Sequence, residues 1–479
     1  MTVNIDNPFR TVKGGLIDRE NPFDFSFDGV LMQGYRGDTL ASALLANGIH
    51  LTARSFKYHR PRGIMTAGSE EPNALVTIRS GGRREPNTRA TMQELYDGLE
   101  AVSQNRWPSL GFDVLGINDW VSRFLPAGFY YKTFMGPHKS WWYNLYEPFI
   151  RRAAGLGKAG YQRDPDHYGK MHGHCDVLVV GAGPTGLTAA RALAEAGKKV
   201  ILADENPQLG GQCLWNGDQV DDQPASEWAA RVTAALKAMP NVRVLSRTTV
   251  FGAYDSLTFG AVERVCDHMA EPVEDLPQQR FWFITAQSVV YATGAIERPL
   301  VMDGNDRPGV MMAAAAHKYL NQFAVVPGKR VAIATNNDSA YAAAADLAAN
   351  SVDVAAVIDV RKAAGTELAS QFDTKFGACV HEVRGGTKIK SAAIASLSGD
   401  ALGKTLETLA IDALLMSGGW TPNVHLMCHK GGKPVWNEAL AAMVPGELPA
   451  NEYAAGSVTG AGTTATCIDQ GLDVAGKIL

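Results

Sequence analysis

Residues 175–205 read CDVLVVGAGPTGLTAARALAEAGKKVILADE, and this stretch decides the fold. Residues 177–180 are a short run of β-formers, enough for one buried strand. Gly181, Gly183 and Gly186 follow at once in the spacing G-x-G-x-x-G. In that spacing the first glycine permits a sharp turn and the second lets backbone approach a pyrophosphate. The third lets the following helix pack closely on the strand. The helix is expected to run from Pro184 to about residue 196, with its N–H groups and positive dipole end facing the phosphate. Gly197 stops it, residues 199–203 form a second strand, and Asp204-Glu205 place an acid roughly 20 residues on, where a ribose hydroxyl is held. A glycine triplet alone is a weak signal, but strand, helix and terminal acid are all in register here. The stretch therefore reads as a dinucleotide site.

Downstream, Asn206-Pro-Gln-Leu-Gly-Gly-Gln212 is a loop that, through Gly211 and Gln212, closes over the adenosine side. Residues 227–237 are expected to be helical, and 242–245 and 248–253 to return to the sheet. Residues 287–294 run as a strand into Ala292-Thr293-Gly294, a second marker of folds with two dinucleotide domains, where the chain crosses out of the first. Residues 329–361 repeat the opening theme of strand, turn, helix and strand. Their turn, however, reads Ala334-Thr-Asn-Asn-Asp-Ser-Ala340, with no glycine where backbone must approach a pyrophosphate and with Asp338 near the phosphates. This half keeps the fold and is expected to have lost its ligand. A strand over 411–415 leads into Ser417-Gly-Gly-Trp-Thr-Pro422. A last strand ends at Gly456, Ser457 to Gly462 begins a turn, and a helix over 463–479, with Thr464 in its first turn, points its N-terminus at the same pyrophosphate.

Upstream, residues 24–79 carry a hairpin signal at Asp28-Gly29, a helix over 39–47 capped by Asp38 or Thr39 and stopped by Gly48, and a strand over 75–79. The pattern resembles the β-grasp fold of small ferredoxins. A [2Fe–2S] cluster needs cysteine thiolates, and no cysteine precedes Cys175, so none is bound there. The segment 57–63, KYHRPRG, is either an anion- or partner-facing patch or a solvated loop stiffened by Pro61; His59 has no second ligand at a useful spacing for a metal. Residues 105–170 are rich in aromatics, among them Trp107, Trp120, Phe129, Tyr130, Tyr131, Trp141, Trp142, Tyr143 and Tyr146, with a helix expected over 141–154. They either face a partner, where aromatics are enriched, or pack between domains.

The fold class is thus α/β, with two Rossmann-like dinucleotide-binding domains, the second inserted in the first as in glutathione and thioredoxin reductases. A small cluster-less β-grasp domain precedes them. The expected division is 1–104, β-grasp; 105–170, connecting segment; 171–300 with 408–479, the first nucleotide fold; and 301–407, the degenerate second. With 45 Lys and Arg against 49 Asp and Glu in 479 residues, the charge gives no reason to expect nucleic acid or an anionic membrane as partner. No apolar run reaches spanning length, and residues 1–10 do not read as a signal peptide. Cysteines at 175, 213, 266, 379, 428 and 467 contain no C-x-x-C, so neither a zinc ribbon nor a redox dithiol is encoded. A reduced, cytoplasmic location follows as the expectation.

Several long strings carry a resemblance: SFKYHRPRG with EEPNALV, LPAGFYYKTF, HCDVLVVGAGPTGL, ATGAIERPLV with NDRPGVM, TNNDSAY and SGGWTPNVHL. They make the chain similar, nearly end to end, to the N-terminal half of the alpha subunit of heterotetrameric sarcosine oxidase. The resemblance implies an oxidoreductase acting on the CH–NH bond of sarcosine with oxygen as acceptor. The products are glycine, formaldehyde or methylene-tetrahydrofolate, and hydrogen peroxide. It implies NAD on this chain, held by Thr185, Asp204, Glu205, Asn206, Gln212 and Val250 and by Ser457, Gly462 and Thr464. It places FAD and FMN mainly on a beta-type partner, with small gamma and delta subunits beside it. The family's alpha subunit is about twice as long, its second half a folate-binding domain. From the residues alone, FAD fits the 204–212 segment as well as NAD does, so a stand-alone FAD-dependent oxidoreductase and a scaffold stapled by NAD remain open. No catalytic acid–base pair stands out, and His172, His174 and His425 read better as solvated or capping residues than as bases.

Overall fold

The structure is a computed structural model and describes residues 3–4, 7–124, 136–154, 157–158, 160–399 and 401–479. The expectations for Phe129, Tyr130, Tyr131 and all of LPAGFYYKTF lie outside these residues. The chain divides into two compact units. One is Met1–Pro165 with Pro299–Ser417, the other Asp166–Arg298 with Gly418–Leu479.

The second of these units is built on two strands of thirteen residues, Tyr168–Val180 and Gln279–Tyr291, which run parallel along their whole length. Tyr168–Val180 starts well before the residues that read as a strand, because its first half is mostly exposed and lacks a continuous apolar run. Its other edge pairs with Val200–Ala203, and that strand with Val242–Leu245, all parallel. The far edge of Gln279–Tyr291 is shared. Its first half takes the antiparallel meander Thr258–Arg264 and Thr248–Tyr254, its last three residues the parallel strand Glu452–Ala454. Helices Pro184–Glu195, Ala225–Ala238 and Thr464–Ile478 bury their apolar sides against one face around Val177, Val179, Leu187 and Leu193. The meander covers Leu178, Ile201 and Tyr291 on the other.

The first unit opens with a six-stranded sheet in the order Val3–Asn4, Val30–Arg36, Asp18–Phe27, Leu99–Ser103, Leu75–Ile78, Glu85–Arg89. Its hairpin turns at Asp28 and Gly29, both at positive φ as a two-residue hairpin loop requires. The helix Leu40–Ala46 is buried on every side, and a capping box between Thr39 and Ser42 supplies the N–H partners its first turn lacks. Against this β-grasp layer packs a five-stranded parallel sheet in the order Val310–Met312, Ala413–Ser417, Arg330–Thr335, Asp353–Asp359, Thr374–Phe376. The two share one core. Tyr319 donates its hydroxyl to Thr66 O at 2.8 Å, and Arg10 bridges Asp38 and Phe323 O. The run over 411–415, grouped above with the first nucleotide fold, hydrogen-bonds here as Ala413–Ser417 between two strands of the second. Apolar runs buried on both faces look alike in either sheet. A further antiparallel sheet, Ala378–Gly385, Ile389–Ser398 and Ala401–Ala410, completes the unit.

KYHRPRG is tied down by acids of its own unit. His59 Nδ1 lies 2.6 Å from Asp113 with both side chains buried, Arg60 pairs with Asp119, and Arg62 with Asp306. The helix expected over 141–154 begins at Lys139 and contains a π turn at Trp142–Tyr146. The described aromatics around it are not core. Trp107, Trp120, Trp141 and Tyr143 are exposed.

Candidate dinucleotide site

The glycine turn behaves as three separate constraints. Gly181 sits at φ +99°, and a Cβ there would lie 2.2 Å from Ala292 O on the neighbouring strand. A Cβ on Gly186 would lie 1.8 Å from Gly181 O, so only glycine lets the helix begin this close to the strand it follows. Gly183 differs, since a Cβ there would meet nothing within 4 Å. It is the N-cap of Pro184–Glu195, where no side chain caps the helix and Pro184 has no N–H to satisfy. The first helical bond runs from Leu187 N to Gly183 O, which leaves the N–H groups of Thr185 and Gly186 at an open helix end. An open backbone position with uncapped donors is what an anionic phosphate needs.

The loop over 206–212 seats on this turn. Gly210 N donates to Ala182 O, and a Cβ on Gly211 would come within 2.9 Å of Gly183 Cα. Gln212 Nε2 reaches Thr464 Oγ1 at 3.3 Å, and Asn216 Nδ2 reaches the same oxygen at 3.0 Å. The loop, the glycine turn and the first turn of Thr464–Ile478 therefore converge. Thr463 caps that helix through a capping box with Thr466. The two helices cross closely because Gly471 and Gly456 leave room for Thr185, whose backbone O lies 2.7 Å from a Cβ on Gly471 and whose hydroxyl lies 2.3 Å from a Cβ on Gly456.

Two residues take different work from the one expected. Asp204 holds the turn itself. Its Oδ2 accepts from Ala182 N at 2.7 Å, and its Oδ1 from the N and Nδ2 of Asn206 at 2.8 and 3.0 Å. A carboxylate offers about four lone-pair sites, so one on Oδ2 remains for a ribose hydroxyl. Thr185 is buried and donates its hydroxyl to Cys467 O at 2.9 Å, which joins the two helices rather than facing a ligand. Glu205 contributes its carbonyl to Arg264 at 2.6 Å. Thr248 N donates to Asp204 O at 2.7 Å, which brings the half-buried Val250 to the end of the second strand. Gly456 N is held by Gln470 Oε1, Ser457 Oγ lies 3.6 Å from Cys467 Sγ, and Gly462 faces open space. Thr293 and Gly294 form a separate cluster with Asn423, through bonds of 2.8, 3.1 and 3.0 Å. Nothing in the sequence marks Arg264, Asn216 or Gln470 as participants, since Glu205, Thr464 and Gly456 become their neighbours only in the folded chain.

No side chain in this unit forms an acid–base pair aimed at the turn. His172 is exposed and stacks on Phe283 at 5.2 Å, and His174 and His425 are exposed. Burial pushes the thiols of Cys175 and Cys213 up to about 12, which keeps both protonated and unreactive. Among the described residues no group of His, Cys, Asp and Glu is placed to hold a metal.

Comparison with known proteins agrees with this geometry. Residues 175–471 match the pyridine nucleotide-disulphide oxidoreductase family, and residues 20–106 a 2Fe-2S iron-sulfur cluster binding domain. The chain is 54% identical over 464 residues, 97% of its length, to the sarcosine oxidase subunit alpha of Rhizobium meliloti (strain 1021). It belongs to the sarcosine oxidase alpha subunit family. The corresponding subunit of Corynebacterium sp. (strain U-96) is 35% identical over 96% of this chain. The chain spans 46% and 43% of those two relatives, less than half their length. The structure of L-proline dehydrogenase from P.horikoshii superposes with a TM-score of 0.66 at 20% identity, covering 99% of this chain and 75% of that one, which shows the same fold.

Within this family member the iron–sulfur description meets a segment without cysteine. Glu71 organises the loop instead. It is buried, and its carboxylate accepts from the N–H groups of Met65, Thr66, Asn73 and Ala74 and from the Thr66 hydroxyl, at 2.7 to 3.1 Å. Burial holds its pKa above the usual carboxylate value against the pull of those donors.

Proposed function

We propose that this chain is the NAD-holding alpha-type subunit of a heteromeric sarcosine oxidase, and that amine oxidation takes place on flavins of a beta-type partner. In this reading the complex converts sarcosine, oxygen and water to glycine, formaldehyde and hydrogen peroxide, or, with tetrahydrofolate in place of water, yields methylene-tetrahydrofolate instead of formaldehyde. FAD and FMN sit on or beside the beta-type subunit, small gamma and delta subunits complete a heterotetramer, and the assembly is cytoplasmic. No helix among the described residues is long and apolar enough to cross a membrane.

The observation that carries the reading is the open turn at Gly183, in contrast to the corresponding turn of the second nucleotide fold, where Asn337 bonds Ser339 N and Ser417 Oγ. NAD's pyrophosphate would lie against Gly183 and the N–H groups of Thr185 and Gly186. The free lone pair of Asp204 would take a ribose hydroxyl, with Glu205, Asn206, Gly211 and Gln212 around the adenosine and Ser457, Gly462 and Thr464 closing the far side. A bound nicotinamide can exchange a hydride. The residues around the turn hold and orient, and none of those described there is placed to move a proton. Family membership supplies the amine substrate, since the relatives are named as sarcosine oxidase subunits. The test is peroxide production from sarcosine by the purified chain alone and after addition of the flavin-bearing subunits. Activity only in the second case supports the reading. Activity of the chain alone, with FAD in its nucleotide site, overturns it and leaves a stand-alone oxidoreductase.

A further inference from the structure

The family matched by residues 20–106 is described as binding a 2Fe-2S iron–sulfur cluster, and the residues that stand at the ligand spacing do not fit one. A plant-type loop sets its first three cysteines at C-x4-C-x2-C. Between the helix Leu40–Ala46 and the strand Leu75–Ile78, Thr66, Glu71 and Ala74 stand at that spacing. None of the three is a thiol, so the donor set is wrong for iron. The three positions meet all the same. The Glu71 side chain belongs to a residue only 2% exposed. Its Oε2 accepts from Met65 N at 2.9 Å, Thr66 N at 2.7 Å and the Thr66 hydroxyl at 3.1 Å. Its Oε1 accepts from Asn73 N at 2.8 Å and Ala74 N at 3.0 Å.

The loop around this carboxylate is polarised. Its N–H groups turn inward onto Glu71, while its carbonyls turn outward. Met65 O accepts from Met312 N at 2.8 Å and Thr66 O from the Tyr319 hydroxyl at 2.8 Å. Ala67 O accepts from Lys318 Nζ at 2.9 Å and Gly68 O from the Thr91 hydroxyl at 2.7 Å. Converging backbone N–H groups make an anion-binding concavity, and hydrogen bonds of this kind also serve the sulfurs of an iron–sulfur cluster. The donors decide the charge of the occupant. Each Glu71 oxygen faces two backbone N–H groups, which can only donate, so a proton on either oxygen displaces one of them. The cradle therefore takes the ionised carboxylate. The outward bonds from Met65, Thr66 and Ala67 reach the strand Val310–Met312 and the helix Ala313–Phe323, so the filled loop ties the β-grasp layer to the second nucleotide fold of its own unit.

We infer that Glu71 is the chain's own occupant of the cluster position, an internal anion in a cradle sized for one small carboxylate, and that the β-grasp domain fastens the second nucleotide fold instead of carrying electrons. The inference goes beyond the subunit reading and does not depend on it.

The test is made on the full natural chain in its complex. Glu71→Ala removes the side chain beyond Cβ, the equivalent of one acetate ion, and leaves the backbone donors in place. Its melting temperature is expected to fall by about 5 °C or more. Acetate or formate should raise it again with the logarithm of concentration. Benzoate, too large for the vacated space, should not, and the wild type should respond to all three no more than to sodium chloride. An unchanged melting temperature overturns the inference, as does a rise of equal size in the wild type. If Glu71→Ala does not fold, Glu71→Gln keeps the size of the side chain but turns an amide NH2 toward two backbone donors. It is expected to melt lower and to ignore acetate; melting like the wild type, or a specific response to acetate, overturns the inference. Hydrogen exchange of the wild type reads the cradle without any variant. The N–H groups of Met65, Thr66, Asn73 and Ala74 lie in no helix or strand, yet should exchange as slowly as those of Leu75–Ile78. Exchange at the rate of an open loop overturns the inference, and so does iron with acid-labile sulfide bound to this chain.

Discussion

The two nucleotide folds start from the same strand–turn–helix–strand plan and end with opposite turns. In the first, Gly183 leaves an open position and no side chain caps the helix. In the second, the turn between Arg330–Thr335 and Ser339–Ala349 is filled from within. Asn337 Oδ1 accepts from Ser339 N and Oγ at 3.1 and 2.6 Å, while its Nδ2 reaches Ser417 Oγ at 2.9 Å. The acid at the end of the second strand also changes partner. Asp204 keeps a lone pair toward the open turn, but Asp359 is fully buried, paired with Arg361 and bonded by the Tyr341 hydroxyl. Arg361 also holds Asp338 at 2.7 Å, so the carboxylate that would have repelled a phosphate is neutralised by an internal cation. Where the first turn is open, the second is closed by Asn337, and its acids are held by Arg361. The fold does not need the ligand where the chain supplies its own donors and charges.

That contrast can be broken at either end. The largest effect is expected for Gly186→Ala, because its Cβ would stand 1.8 Å from a backbone oxygen that cannot move independently. A loss of at least about 3 kcal/mol is expected in thermal or urea unfolding, together with loss of the nucleotide. Arg361→Ala leaves Asp359 buried and unpaired, with an expected cost of about 3 kcal/mol and no change in nucleotide content. Equal nucleotide loss in this variant would show that the second fold also holds a ligand. Gly183→Ala separates binding from folding. Its methyl enters open space, so the apo melting temperature should hold, while affinity falls at least about tenfold because the methyl stands where backbone must approach the phosphate. An unchanged affinity in titration calorimetry would remove the ligand from this turn.

Smaller effects sharpen the account of the filled half. Asn337→Ala removes the side chain that serves the first N–H of Ser339–Ala349 and should cost about 1 kcal/mol without creating a nucleotide site. Asp346, on the same helix, is held below the usual carboxylate value first by its hydrogen bond to His317 and then by Asn321. A depressed carboxyl contributes stability above its unfolded value, near 3.8, and loses it as pH falls through the folded one. Melting curves of the wild type and Asp346→Asn should therefore differ by less than about 1 kcal/mol near neutrality and converge below pH 3.8.

How much was legible follows from what each inference required. The glycine turn could be read because each glycine answers a backbone constraint set by its spacing, and the absence of glycine at 334–340 was equally plain. The uses of Asp204 and Thr185 could not be read. Their partners, Ala182 N and Cys467 O, are backbone groups, and only folding decides which side chain reaches them. Nothing in the sequence tells which sheet takes Ala413–Ser417, because a buried apolar run carries no mark of its neighbours. Thr258–Arg264 and Ala401–Ala410 were missed because polar and apolar residues mix on them without a clean alternation. The β-grasp domain was recognised from its hairpin and helix, but Glu71 was not singled out, since nothing local distinguishes a carboxylate that gathers four backbone N–H groups from one in solvent.

The most direct test of the central claim, that one fold holds a dinucleotide and the other has replaced it, is the amount and identity of nucleotide released when the purified chain is denatured. One equivalent of NAD per chain and no FAD is the expected result. Two equivalents, or FAD in place of NAD, would contradict it.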